Sequence, residues 1–337
     1  MTREALSRTT TTLSTDFVPE DSVSVGPTTT ALLKVTKAAR RQQITAGYSA
    51  LTQVCVVTGD NPDRAELVSE HPIQAWSLPA SAAVALVHTD LDEAWALLRA
   101  ARLLEQESVA VVRPHYDCVR TAGGRAVTFW HQPGRRQDDP AVSAWATASV
   151  HGVHPKLALW LEPHDPFDGL LEGLTDADVD EAGQWFLREH AAWLREEWER
   201  IDWPTPPTVI LGDTRMARCY DDGRCPRLLL RRPPRLGRRE WDLVAARWRA
   251  EFLRGRPVDL QAYTAAYTSR ARPDVALPYD RIGTWDGYQS VRDVVALTAV
   301  MDTVRRSHLD GRARQLAAHQ IACLRGAHQR PWDWGRG

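Results

Sequence analysis

The chain has 337 residues, 43% of them hydrophobic and 25% charged, a globular composition long enough for one large domain or two lobes sharing an interface. A net charge of −1 supplies no overall field toward nucleic acid or an anionic membrane, and no apolar run approaches the roughly 18 residues that cross a bilayer. The polar, Thr-rich start lacks an apolar signal core, and Cys55, Cys118, Cys219, Cys225 and Cys323 are scattered and odd in number, so a cytoplasmic protein without export is expected.

Residues 1–30 read as a disordered tail, with the threonine runs Thr9–Thr12 and Thr28–Thr30 offering little to bury. Ala31–Leu51 predicts an amphipathic helix whose Lys34, Lys37, Arg40 and Arg41 form a solvated face. Val54–Val57 reads as a strand entering the turn Thr58–Pro62, and further strands are expected at Ile73–Ser77, Ala83–Val87 and Val109–Val112. Between them, Leu97, Leu98, Ala101 and Leu104 share one side of a helix over Leu91–Gln106, with Asp90 or Asp92 near its start. Gly123-Gly124 turns a hairpin between Cys118–Thr121 and Ala126–Trp130. A β-rich N-terminal lobe over residues 31–135 follows from this order.

Residues 136–337 read as a helical lobe, with helices over 141–151, 178–199, 240–254, 259–270, 289–306 and 309–326. Its exception is a hairpin over 208–230: Val209–Leu211, a loop, Tyr220, the Asp222-Gly223 turn, and Leu228–Leu230. Most of the fourteen tryptophans are expected to pack in cores; Trp185, Trp193 and Trp198 recur near helical spacing beside Leu187 and Leu194. Cys219 and Cys225 have no second Cys/His pair nearby, so no zinc site is expected. The plan is α+β and bilobal, a small antiparallel β lobe followed by a larger helical one.

Four segments of this plan carry further information. Val209-Ile210-Leu211-Gly212-Asp213 runs through Arg218 to Leu228-Leu229-Leu230, and Gly237-Arg238-Arg239-Glu240-Trp241-Asp242-Leu243 opens the next helix. Trp285-Asp286-Gly287-Tyr288 precedes Val291-Arg292-Asp293, and Leu324-Arg325-Gly326 precedes Trp332-Asp333-Trp334. In this order they resemble the aminoglycoside phosphotransferase family, in the form of a degenerate actinobacterial-type member, over roughly residues 52–334. The family's His-Gly-Asp, its Asn and the second-strand Asp align with Leu211-Gly212-Asp213, Arg218 and Leu230. The resemblance implies a protein-kinase-like fold.

Phosphoryl transfer in such folds needs a carboxylate for the acceptor hydroxyl, oxygen ligands for magnesium, and a cation on a small-lobe strand to grip the phosphates. Asp213 stands in the first role, as base or, alternatively, as a loop-capping carboxylate. Arg218 and Leu230 stand where the magnesium ligands belong, and Arg227, Arg231 and Arg232 add positive charge. No Lys or Arg lies between Arg64 and Arg99, so His88 is the one candidate for the gripping strand and Glu93 has no lysine partner. Gly59 and Asn61 match the position of a nucleotide-covering loop. His151 and His154, beside Pro155, resemble the family's Leu-His segment and read as structural. Arg218, Arg231 and Arg232 could instead take a phosphate or sulfate group directly.

Three functions fit this pattern. The first is a pseudokinase acting as scaffold, partner or binding subunit in a natural-product or peptide-modifying pathway, with no cofactor. The second is a divergent phosphotransferase using ATP and magnesium on a small hydroxylated molecule or a peptide Ser/Thr. The third is a small-molecule binder using a cleft bordered by Asp213, Trp285 and Asp176–Glu181. Each calls for a protein partner or small ligand, not nucleic acid or a membrane.

Overall fold

The computed structural model describes residues 27–70, 73–215, 217–221, 225–254, 259–271, 279–309 and 311–334, without the side chains of 27–37, 39, 279 and 280. Residues 1–26 of the expected tail and the expected Asp222-Gly223 turn lie outside the described residues.

Helix α1 spans Pro27–Thr58, so it takes in the end of the expected tail and all of the expected strand Val54–Val57. Leu51, Val54 and Cys55 recur at helical spacing and are buried, while Val56 and Val57 are exposed. That one-sided burial is what a helix lying on a sheet requires, and it overrides the β propensity of the valines. Gly59, at φ +79°, ends the helix in the left-handed conformation, its N–H donating to the Cys55 carbonyl.

The small lobe is a five-stranded antiparallel sheet: β1 (Glu66–Ser69), β2 (Gln74–Leu78), β3 (Ala83–His88), β4 (Arg120–Ala122) and β5 (Arg125–His131), in the order β1-β2-β3-β5-β4. β3 is buried along its whole length because both faces are covered. Ala83, Ala85 and Val87 face Leu51 and Val54 of α1; Val84 and Leu86 face Leu97 and Ala101 of α2 (Leu91–Gln106). The carboxylate of Asp90 accepts the N–H groups of Asp92 and Glu93 and sets the start of α2. Among the described residues, the segment expected as a strand over Val109–Val112 contributes only one bridge, Val111 to Leu228, which joins the small-lobe segment between α2 and β4 to the central hairpin.

The helical lobe packs α3 (Pro140–His151), α4 (Glu181–Glu199), α5 (Arg239–Phe252), α6 (Leu260–Arg270), α7 (Tyr288–Val304) and α8 (Gly311–Leu324) around one apolar cluster. On its surface lie β6 (Arg135–Gln137), β7 (Thr208–Ile210), β8 (Cys219–Asp221), β9 (Pro226–Leu228) and β10 (Arg235–Gly237), paired as β6-β8-β9 and β10-β7. Trp185 and Trp193 do not reach the core: they are 63% and 50% exposed. Leu187, Ala191 and Leu194 occupy the inner face of α4 and leave those tryptophans on the outer one. Trp198 does pack inward, against Trp203, Trp241 and Phe167. Among the described residues no helix is long and apolar enough to cross a membrane.

Candidate functional site

Strand β7 delivers the chain to Leu211-Gly212-Asp213, and the turn there is held from α5. Asp242, 6% exposed, accepts the Leu211 N–H at 2.7 Å and the Gly212 N–H at 3.0 Å. Its carboxylate also lies 3.0 Å from His151 Nε2, and His151 Nδ1 is 2.8 Å from the Tyr267 hydroxyl. Asp242 thus secures the loop ahead of its own helix, and His151 is a buried strut between α3, α5 and α6. His154 caps the short turn after α3 by accepting the Lys156 N–H. Gly212 sits at φ +67°, a conformation that favours glycine.

Beyond this clamp, Asp213 faces an open cleft with its side chain 24% exposed. Its Oδ1 accepts the Arg215 N–H at 3.0 Å, and the Arg215 Nε lies 3.4 Å away. Arg215 also reaches Asp302 of α7 at 3.5 Å, where Arg305 and Arg232 converge at 3.4 and 3.9 Å. Arg218 and Leu230 line the same cleft as Asp213, joined by the Leu229 N–H that donates to the Arg218 carbonyl. The cleft is partly open and small, about 40 Å³.

Arg231 leaves the hairpin for the small lobe. It is 8% exposed, and its Nη2 donates to Ser69 Oγ at 2.8 Å and to the Ile73 carbonyl at 3.4 Å. Burial, with Arg218 and Arg215 adding to it, pushes its pKa down to about 9, so it stays cationic at neutral pH. Arg227 donates to the Val111 carbonyl at 3.4 Å.

His88, the last residue of β3, is 1% exposed with Nε2 3.1 Å from Thr128 Oγ1. Burial pushes its pKa down to about 4, so at pH 7 this strand end carries no charge. Burial raises the pKa of Glu93, and the charges that oppose the shift are Arg232 and Arg235, both of the helical lobe. Gly59 and Asn61 are not brought to the cleft. The Asn61 N–H donates to Ser81 Oγ, just past the end of β2, whereas Arg231 touches Ile73, just before its start. The length of β2 separates them by about 17 Å. Gly59 is a helix terminator, and the connection between β1 and β2 is the hairpin next to Arg231. Trp285 packs on Trp203 and donates to the Asp202 carbonyl. The expected acidic border is engaged locally, Asp178 with Arg314 and Asp180 with the Gly183 N–H.

No family model and no curated protein matches the sequence. Solved structures do match the architecture. A choline/ethanolamine kinase family protein from Mesorhizobium loti is 17% identical, with a TM-score of 0.51 over 79% of this chain and 88% of its own. Spectinomycin phosphotransferase APH(9)-Ia, solved with ADP and spectinomycin, is 9% identical, with a TM-score of 0.54 over 85% of this chain and 96% of its own. Aminoglycoside phosphotransferase APH(4)-Ia is 10% identical, with a TM-score of 0.50 over 79% and 94%. The chain has the aminoglycoside-phosphotransferase-type kinase fold.

In this kinase fold, the cleft beside Asp213 is poorly suited to magnesium. The ion demands near-octahedral oxygen ligands. Arg218 offers a cation and Leu230 an alkyl group at the two positions that the resemblance aligns with metal ligands. Among the described residues no group of three His, Cys, Asp or Glu side chains is placed to hold a metal ion. Sequence reasoning brought Asp213, Arg218 and Leu230 together, and they do share one cleft. It missed Arg215, which stands two residues from Asp213, and Asp302, which joins only through the packing of α7. It also missed Arg249 of α5, whose pKa burial lowers, with Asp213 raising it and Arg215 and Arg218 lowering it further. The run of arginines after Asp213 was the available signal for the first of these; the other two have none in the local sequence.

Proposed function

We propose that this chain is a pseudokinase: a kinase-fold protein that works by binding a partner or ligand and not by magnesium-dependent phosphoryl transfer. The observation that carries this reading is the cleft beside Asp213, where Arg218 and Leu230 replace oxygen ligands and Arg215 neutralises the remaining carboxylate. The uncharged His88 at the end of β3 supports it, since no fixed cation stands there to grip a nucleotide. A second reading, a divergent phosphotransferase, is favoured by one feature: Asp213 is still partly exposed to the cleft, on a loop braced by Asp242. The solved neighbours are named as kinases and phosphotransferases, which keeps that reading in view. Thermal-shift measurements with ATP, with and without magnesium, separate the two. The pseudokinase reading expects no metal-dependent stabilisation. Transfer of the γ-phosphate to any acceptor that disappears in Asp213→Ala would refute it.

A further inference from the structure

The arginines of the cleft are not equally occupied. Arg215 and Arg232 are tied to Asp302, and Arg231 is spent on Ser69 and Ile73 of the small lobe. Arg218 is different. Its guanidinium is partly buried, no carboxylate among the described residues lies within ion-pair distance of it, and Arg215 and Arg136 repel it while Asp213 attracts it from further off. Arg249 of α5 lies within electrostatic reach of Asp213, Arg215 and Arg218, again without an acidic partner at ion-pair distance among the described residues. Six guanidiniums (Arg215, Arg218, Arg231, Arg232, Arg249 and Arg305) therefore gather about Asp213 and Asp302, with Glu93 a third carboxylate within reach of Arg232. Clustered, desolvated cations are costly unless an anion completes them. Guanidinium forks match the oxygens of phosphate-type anions.

We propose that this cleft binds the terminal group of a phosphate-bearing ligand directly on arginine, without magnesium, with Arg218 as the principal contact. The cleft is small and partly open, with about 40 Å³ of space for water-sized groups. Only the anionic end of the ligand enters, and its body stays in the open mouth of the cleft. Asp213 sets the polarity of the site: with Arg215 paired to it, Arg218 is left to face the incoming anion. The inference goes beyond the pseudokinase reading and is separable from it.

The test is calorimetric titration of the full chain with pyrophosphate and with ADP, in EDTA and in excess magnesium, at low salt. Binding of pyrophosphate in EDTA is expected, weakening as ionic strength rises. Excess magnesium, which neutralises the anion, is expected to weaken it further. Equal affinities for the two ligands assign the site to the anionic group alone, and tighter ADP binding assigns it to nucleotides. Arg218→Gln is expected to weaken binding by about tenfold or more, the loss of a charge-assisted contact. Arg218→Lys, which keeps the charge, is expected to retain most of it, and Arg188→Gln, on the distant surface of α4, to leave it unchanged. Absence of heat in both buffers, or equal binding by Arg218→Gln and the unaltered chain, would overturn the anion site alone. Binding that occurs only with magnesium would overturn it together with the pseudokinase reading.

Discussion

Replacing Asp242 by alanine removes one carboxylate that serves three groups. The Leu211 and Gly212 N–H groups donate to it at 2.7 and 3.0 Å, and His151 Nε2 lies 3.0 Å away. Both partners of the His151–Asp242 contact are nearly inaccessible, with side-chain exposures of 2% for His151 and 4% for Asp242. Each hydrogen bond to a charged group contributes about 1.5–3 kcal/mol. The two backbone N–H groups are on half-buried residues and regain part of their loss from water, so a net cost of about 3–5 kcal/mol is expected. Unfolding entropy for 337 residues is about 0.7 kcal/mol/K, which converts this to a fall in Tm of about 4–7 °C. Scanning calorimetry or far-UV CD at pH 7 measures it. Asp242→Asn should fall between, because one backbone N–H would then meet an amide NH₂ in place of an acceptor. A double-mutant cycle with His151→Ala should show a coupling well above 0.5 kcal/mol, the limit for independent sites. A Tm within about 1 °C of the unaltered protein, or strict additivity in the cycle, would refute the clamp described for this loop.

Two further outcomes follow from the same geometry. His88 has a folded pKa of about 4 against an unfolded value near 6.5, so between these values the folded state binds fewer protons than the unfolded one; stability is present above pH 6.5 and lost on the way down to pH 4. The loss from this residue between pH 7 and pH 5 is about 2 kcal/mol; denaturant midpoints should show a flatter pH dependence for His88→Gln, and an unchanged slope would contradict the burial argument. The pair Arg218→Asn with Leu230→Asp restores oxygen ligands to the cleft. ADP should then raise Tm in magnesium but not in EDTA, by about 2.7 kcal/mol of stabilisation at roughly 100 Kd, and the absence of any metal-dependent shift would show that these positions are not the metal-ligand equivalents.

Much of this architecture was legible because local signals agreed with tertiary ones. Asp90 capping an apolar 3–4 repeat gives α2 its bounds, and the periodic stretches of the second half become α3 to α8 with shifts of only a few residues. Val54–Val57 misled because β-branched residues carry strand propensity, whereas the deciding fact, burial of Leu51, Val54 and Cys55 on one sheet face, depends on a partner distant in sequence. Trp185 and Trp193 misled for the opposite reason: large apolar residues are presumed inside, and here the inner face of α4 is already filled by smaller ones. In the cleft, Asp213, Arg218 and Leu230 were readable since one hairpin supplies all three. Gly59 and Asn61 were assigned by their position in the resemblance, and the helix that ends at Gly59 puts them at the far end of β2. Asp302 and Arg249 arrive by helix packing, which no local pattern encodes.

The path of Arg231 has a mechanical consequence. A hinge between two lobes works when few polar contacts cross it, so that opening costs little. Here a guanidinium rooted beside the central hairpin is seated among the backbone and hydroxyl groups at the mouth of the β1–β2 connection. Opening the lobes means drawing that charge out of its seat, against its hydrogen bonds to Ser69 Oγ and the Ile73 carbonyl. The contact therefore acts as a latch across the hinge, resisting separation of the small lobe from the central hairpin.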